Sequence, residues 1–600
     1  MNGYTKQNVM KNMFTFKKIW LIAMLMMLTG TVSYGATFTA VASGNWSSTT
    51  TWGGSVPPLT ITSDQVIISS GINVTMDNNA TLNGALALMD VEGTLSSSSN
   101  ATLTVVAGAV SGSGVINIGN LVCGTSAIVS FTGSLAADTV TCSALNLLVA
   151  ADIMVNQTLT LSSGILSLQT GGSLDVGADA TIVISGGVLT LNGGTLGLSG
   201  TYNVVYTSGS AIAGVELSGS GLSDVTIDVS TGSTVTLTAD LAVSGTLSLT
   251  SGTLVLAGNN LTITGDVSAS GSGLISSTSA SNISISTAAS VSGSLSFTSA
   301  GDVVNNLTVN VGGNGSVMLG SNITIQGTLN LVSGCLNAGS YNVEIGLSGS
   351  ITGASNTSYV ITGLNGTLSM HLTAGASAAV TFPVGTSVQF CPAAIMLNTG
   401  SASGEVFVGA GANVYASGTS GVDISLTQPV VDATWYVHSE ITANLNMNLE
   451  LMWAAAAEVN AFNHMAAYIS HYTSGSWDVS ATASATLEAN GMFSLNRNNI
   501  TSLSPFAVFD QNTNPTSVKE VPGEVSFDLY PNPAVDFITV NYNSKDAAYI
   551  EVINIIGTRL EYRRVMKSNT IIPLDKLPPG NYFVRVYNDN ISLVKRFIKL

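Results

Sequence analysis

From about residue 37 to residue 355 the apolar residues fall on alternate positions, in runs too short to be anything but brief strands. "VTLTADLAVSGTLSLTSGTLVLAGNNLTITG", residues 235–265, holds four such runs, seven to ten residues apart and separated by Gly, Ser or Asn. Alternation predicts strands with one buried face, and the Gly and Asn punctuation predicts tight turns. Three stretches match one another: "ADIMVNQTLTLSSGIL" from Ala151, "ADLAVSGTLSLTSGTL" from Ala239 and "SNITIQGTLNLVSGCL" from Ser321. Their Thr-Leu-x-Leu cores begin at Thr158, Thr246 and Thr328, 88 and 82 residues apart, which suggests a long unit made of several coils. Strands this short cannot bury an apolar face alone, but stacked coils bury it continuously. No Pro stands between Pro58 and Pro383, so no coil loses a ladder donor. The pattern predicts an all-β chain whose residues 37–355 form a parallel β-helix or related solenoid. A string of antiparallel sandwich modules is the competing architecture. It calls for longer strands and more aromatics than Phe131, Tyr202, Tyr206, Phe297 and Tyr341, the only ones from 53 to 355.

Beyond residue 355 the texture changes. In "FPVGTSVQFCPAAIML" and "TWYVHSEITANLNMNLELMW" the runs lengthen and aromatics and Pro return, predicting a β-sandwich over 356–510. In "MWAAAAEVNAFNHMAAYI" Ala-richness favours helix locally, but the flanking strands favour strand–loop–strand. Residues 511–524 read as a polar linker. Residues 525–600 carry seven or so alternating runs, enough for a small Ig-like β-sandwich. At the other end, Lys17 and Lys18 precede "IWLIAMLMMLTGTVSYGA", a basic, then apolar, then small-residue sequence. It reads as a signal peptide over 1–36 that addresses the chain to the Sec translocon, with a retained anchor helix as the alternative.

Charge sharpens the picture. Only 8% of residues are charged, 45% are apolar, and the formal net charge is −17. Four Lys precede the apolar leader run and eleven basic residues lie from Lys519 onward, leaving Arg497 as the one cation between. Such a surface cannot neutralise phosphates, which excludes nucleic-acid binding and disfavours anionic membranes. Four Cys do not make a disulfide scaffold. Cys123 and Cys142, about one turn of a solenoid apart, are either a possible disulfide between adjacent coils or two small core residues.

Two stretches resemble known families. "SGNWSSTTTWGGSVPP", Ser43 to Pro58, is similar to the first turns of secreted β-helical surface proteins of Bacteroidota. The resemblance makes Trp46 and Trp52 a possible cap over the open end of the stack; a sugar-stacking platform is the alternative. "LYPNPAVDFITV", "IEVINIIGTRL", "IIPLDKLPPGNYFVRVYND" and "LVKRFIKL" resemble, in that order, the type A C-terminal sorting domain of the type IX (Por) secretion system. On that resemblance the sorting-signal motif comprises Tyr530, Pro531, Asn532 and Pro533, then Gly557, then Leu577, Gly580 and Tyr582, and finally Lys595, Arg596 and Lys599. It implies export to the cell surface or beyond by the type IX machinery, with removal of the domain and attachment to surface lipopolysaccharide or release. A terminal stability module is the plainer reading.

No catalytic, cofactor or metal constellation emerges. His371, His438, His464 and His471 form no close metal-ligand pair, and no Gly-x-Ser-x-Gly elbow is present. Asp90 and Glu92 could mimic paired carboxylates but read as a solvated edge. A polysaccharide lyase needs Lys or Arg, and the solenoid has neither. A non-catalytic structural or adhesin-like surface protein, monomeric, touching glycans or other cell surfaces, is therefore expected. The alternative is a carbohydrate-binding or polysaccharide-degrading protein gripping its ligand with Trp435, Trp453 and Trp477. Ice binding through Thr-x-Thr ladders is a third reading, weakened by Thr positions that drift between coils.

Overall fold

The computed structural model describes residues 35–511 and 527–600, apart from 98–99, 144–146, 199, 269–270, 364, 543–547, 555–557, 566–568 and 588–591. Residues 1–34 of the expected signal peptide, 512–524 of the linker and Gly557 of the sorting motif lie outside the described residues. The chain divides into two compact units, 1–513 and 514–600.

The first unit is a β-solenoid of about 15 turns that runs into a sandwich. One column shows how it is built. Leu241 stacks on Leu261, then Ile283, Leu307 and Leu329, offsets of 20, 22, 24 and 22 residues, with every pairing parallel. Two residues further along each strand, Val243, Ile263, Ile285, Val309 and Leu331 form a second inward column. All ten are essentially inaccessible to solvent. Alternation alone dictates this, because successive side chains of a strand point to opposite faces and parallel in-register stacking superposes like on like.

The turns have their own ladders. Asp240 accepts from Asn260 N and Nδ2 at 2.8 and 2.9 Å. Asn260 Oδ1 accepts from Asn282 Nδ2 at 2.7 Å, and Asn282 Oδ1 from Asn306 Nδ2 at 2.8 Å. Asn306 Oδ1 then accepts from Thr328 N at 2.7 Å. These side chains satisfy backbone donors at the bend, where the sheet ladder cannot. Glycine holds another corner. A Cβ on Gly114 would lie 2.1 Å from the Gly93 carbonyl oxygen, and one on Gly133 would lie 2.0 Å from that of Gly114.

The Thr-Leu-x-Leu repeat resolves in two ways. Leu159, Ile182, Val204, Val225 and Leu247 stack in register, so the first two copies lie four turns apart in one sheet. The third does not join them. Thr328–Ser333 belongs to the sheet of Leu241–Val243, while Thr246–Ser251 belongs to the neighbouring one. Consecutive sides of one turn use the same apolar-x-apolar motif, and the sequence match slipped by one side.

Parallel stacking continues through Val360–Ile361 to Val384–Gly385. The strand Thr367–Leu372 belongs to both architectures: one edge pairs parallel with Asn342–Ile345, the other antiparallel with Gly404–Ala412. From there the sheet runs antiparallel through Val430–Ser439, Pro505–Asp510 and Ala467–Thr473. A second antiparallel sheet comprises Val380–Phe382, Ala393–Leu397, Met447–Ala454, Met492–Ile500 and Thr486–Leu487. One hydrophobic core joins Trp46 to Val508 without a break. The Ala-rich stretch is strand–loop–strand, with the short 3-10 turns Ala455–Ala457 and His464–Ala466 between Met447–Ala454 and Ala467–Thr473.

Among its described residues the second unit shows seven antiparallel strands arranged as a sandwich. Phe527–Tyr530, Phe537–Tyr542 and Asn569–Pro573 form one sheet. Arg559–Val565, Ala548–Asn554, Gly580–Tyr587 and Ser592–Lys599 form the other. Ile538, Val540, Ile550, Val552, Val584 and Phe597 fill its separate core.

Candidate functional site

Trp46 and Trp52 meet edge to face, ring centroids 5.3 Å apart. Trp52 Nε1 donates to the Trp46 carbonyl at 2.8 Å, and Trp46 N to the Thr75 carbonyl of a following turn. Both rings are buried in the main core, so neither offers a face on which a sugar could stack.

The three sandwich tryptophans are buried as well, and each indole N–H is spent internally. Trp435 donates to the Cys391 carbonyl, Trp453 to Glu458 and Trp477 to the Tyr415 carbonyl. This corrects the expectation that they could grip a carbohydrate. Long strands on both layers bring large side chains inward, and the aromatic enrichment reflects the wider core of a sandwich.

Cys123 and Cys142 occupy the same register position on adjacent parallel strands, both buried and both free thiols. The Cys123 thiol is pushed up, first by its hydrogen bond to Cys142 and then by burial. Asp90 and Glu92 do not form a pair. Each accepts from a serine of the next turn, Asp90 from Ser111 at 2.8 Å and Glu92 from Ser113 at 2.6 Å.

The histidines are dispersed. His438 stacks on Phe407 and His471 on Phe506, while His464 lies 3.5 Å from Glu458. Among the described residues no group of three or more His, Cys, Asp or Glu could hold a metal ion.

Two features escaped the sequence reading. Glu216 is buried in the solenoid, where Tyr206 Oη donates to its Oε1 at 2.5 Å and Gly214 N at 2.8 Å. Beside it the strand column is interrupted. Val188–Asn192 ends one parallel sheet, Ala211–Ile212 begins another, and both line a groove of about 570 Å³. Ile212, 72% exposed, stands at its edge. A Glu in the apolar stretch that follows Tyr202 and Tyr206 was the available signal, since a carboxylate inside an apolar period needs a partner.

Arg497 is not free. Its guanidinium grips Asp478 through two hydrogen bonds of 2.7 and 2.6 Å and donates a third to the Ile469 carbonyl at 3.0 Å. Residues 35–511 hold 24 Asp and Glu against this one cation, which is tied down inside the sandwich.

The terminal unit concentrates the remaining candidates. Asn532 donates through Nδ2 to the Arg596 carbonyl at 3.1 Å and accepts from Ile598 N at 2.9 Å. It thereby clips the Pro-rich turn to the last strand. Tyr582 is buried and donates to the Pro578 carbonyl at 2.8 Å, while Leu577 packs on the core. Gly580 opens the strand carrying Tyr582. Lys595 pairs with Asp528 at 2.8 Å, Lys599 donates to the Leu600 carbonyl at 2.6 Å, and Arg596 and Tyr530 are exposed. Seven strands, these ties and a net positive charge (ten Lys and Arg against seven Asp and Glu in 525–600) set this unit apart from the acidic body. Residues 528–600 match the secretion system C-terminal sorting domain. The sorting domain marks the chain as cargo of the type IX secretion system and implies contact with that machinery and delivery to the cell surface or beyond. No curated protein matches the sequence.

Proposed function

We propose that the exported body, residues 37–510, is a non-catalytic structural or adhesin-like protein of the cell surface or extracellular space. The signal peptide over 1–36 carries it to the Sec translocon, and the sorting domain carries it across the outer membrane. The observation that supports this reading most is the fate of Arg497: the only cation of the body is locked onto Asp478 and none is left to work on an anionic substrate. What remains is a long stack of Ser, Thr and Asn ladders suited to weak, repeated contacts with glycans or neighbouring cells. Trp46 and Trp52 serve as a cap at its first turns, and the sandwich closes the other end through the shared strand Thr367–Leu372.

The test is to delete the gene and measure attachment of the producing cells to polymer surfaces and to one another. Loss of attachment, restored by the intact gene, is the expected result. Unchanged attachment, or turnover of a polysaccharide by the purified body, would overturn it.

A further inference from the structure

The motif residues of the sorting domain are largely consumed in holding it together: Asn532 clips the turn, Leu577 and Tyr582 pack inward, Lys595 pairs with Asp528. A partner that recognises the domain must read mainly residues outside these four, together with the exposed Arg596. The outward face of the four-stranded sheet offers them. On an ordinary two-layer sandwich that face is polar. Here Tyr549 stacks on Tyr562 and lies against Tyr587, centroids 5.5 and 5.8 Å apart. The Arg559 guanidinium stands 5.1 Å from the Tyr562 ring centre and that of Arg585 stands 4.5 Å from Tyr587. Beneath them Glu551 is nearly buried, 3.1 Å from Arg585 and 3.9 Å from Arg559. One carboxylate thus orients two guanidiniums and cannot neutralise both. Val594, 52% exposed, and Arg596 extend the patch along the last strand.

We propose that this tyrosine–arginine face docks the sorting domain onto an acidic protein surface of the export machinery. The inference rests on the export reading above and names the surface that carries it. Tyr and Arg are enriched among the hot spots of protein interfaces: Tyr buries a large area at small entropic cost, and both keep a polar handle. Their pre-ordering over Glu551 lowers that cost further. Charge selects the partner's sign: the face has an excess of guanidinium, so an acidic surface gains and a basic one is repelled. The opposite sheet also exposes apolar side chains, Phe537 and Ile571, but its strands contribute no Lys or Arg. It serves as the internal control.

The experiment uses the full chain in cells that possess the machinery and measures the fraction reaching the surface and medium. The triple variant Tyr562→Ala, Val594→Ser, Arg596→Glu should cut that fraction about tenfold, the change expected when interface anchors are lost. The chain should then accumulate in the periplasm with an unchanged melting temperature. The pair Phe537→Ser, Ile571→Ser should export within about twofold of the parent, a surface change away from the contact. Should the triple lower the melting temperature, Arg596→Glu alone, at an exposed side chain, decides, and export at the parent level overturns the proposal. It is overturned equally if the control pair blocks export as strongly, or if neither set does. Deleting 525–600 separates this from the underlying reading: export that survives the deletion sinks that reading itself.

Discussion

Arg497 shows how one residue can settle the chemistry of a surface. A guanidinium with two short bonds to one carboxylate and a third to a carbonyl is positioned for structure. Its side chain is 22% and that of Asp478 27% exposed, so breaking the pair strands a half-desolvated charge. Arg497→Met should cost about 3 kcal/mol, the lower end for a broken buried pair, read as a fall in the denaturation midpoint of the purified body. The pair also sets a pH dependence. Burial pushes the Asp478 carboxyl up, but the hydrogen bonds from Arg497 and from His471 N outweigh it and hold its pKa below the usual 3.8. A depressed carboxyl stabilises the fold above its unfolded value, and that contribution is lost as pH falls through the folded one. His471 is lowered from 6.5, first by burial and then by Arg497, against the pull of Asp478; burial likewise lowers His438. A lowered imidazole favours the neutral form in the fold, so its contribution is whole above pH 6.5 and declines as pH falls through that value. Melting temperature should therefore drop first between about pH 7 and 5 and again below about pH 4. Replacing His471 by Gln should flatten the first step. An unchanged first step in that variant would contradict the assignment.

At the scale of strands and turns, period is legible and identity of column is not. Alternation and turn residues were enough to predict parallel coils, because each short run states which of its residues face inward. The register repeat was also written in the chain: "DLAV", "NLTI", "NISI", "NLTV" and "TLNL" begin at Asp240, Asn260, Asn282, Asn306 and Thr328, the members of the polar ladder. It was hidden by the louder Thr-Leu-x-Leu motif, which neighbouring sides of a turn share. Burial of Trp435, Trp453 and Trp477 could not be read locally either, since a strand's sequence does not say how thick the layer above it is. The ladder is testable at its centre. Asn282 Oδ1 accepts from Asn305 Nδ2, Asn306 N and Asn306 Nδ2, and its own Nδ2 donates to Asn260. Asn282→Leu would strand these groups in a part-buried turn and should cost about 2–3 kcal/mol. Glycine at the other corner is under a steric constraint. A methyl on Gly114 must displace the backbone of the preceding turn, so Gly114→Ala should cost about 1–3 kcal/mol by overpacking. Hydrogen exchange should show the loss of protection centred on the turns of Gly93 and Gly133. Protection unchanged there would mean that the stack yields at no cost.

The whole molecule is a division of charge between two units with separate cores. The body buries a main core that reaches from Trp46 to Val508 and a smaller cluster around Tyr468, Trp477 and Phe509, and the sorting domain buries another of its own. Each core is made of its own unit's residues, so cutting the chain in the linker should leave the body's denaturation midpoint unchanged within about 0.5 kcal/mol, the usual size of a surface change. The same cut changes the electrostatics profoundly. With the sorting domain the chain carries clusters of Lys and Arg; without it, 24 Asp and Glu face a single Arg that is already paired. A polyanion cannot release counterions from such a surface, and a cationic one can. The isolated body should show no binding to DNA or to anionic vesicles at low salt, where electrostatic attraction is strongest. It should adsorb to a cationic resin and be displaced by salt, and its adsorption to an uncharged glycan surface should be insensitive to salt. That last arm carries the functional weight. Contact through Ser, Thr and Asn ladders has no ionic term to screen, whereas contact through carboxylates does. Adsorption to neutral glycans that collapsed with added salt would shift the adhesive role from the hydroxyl and amide ladders to the acidic residues between them.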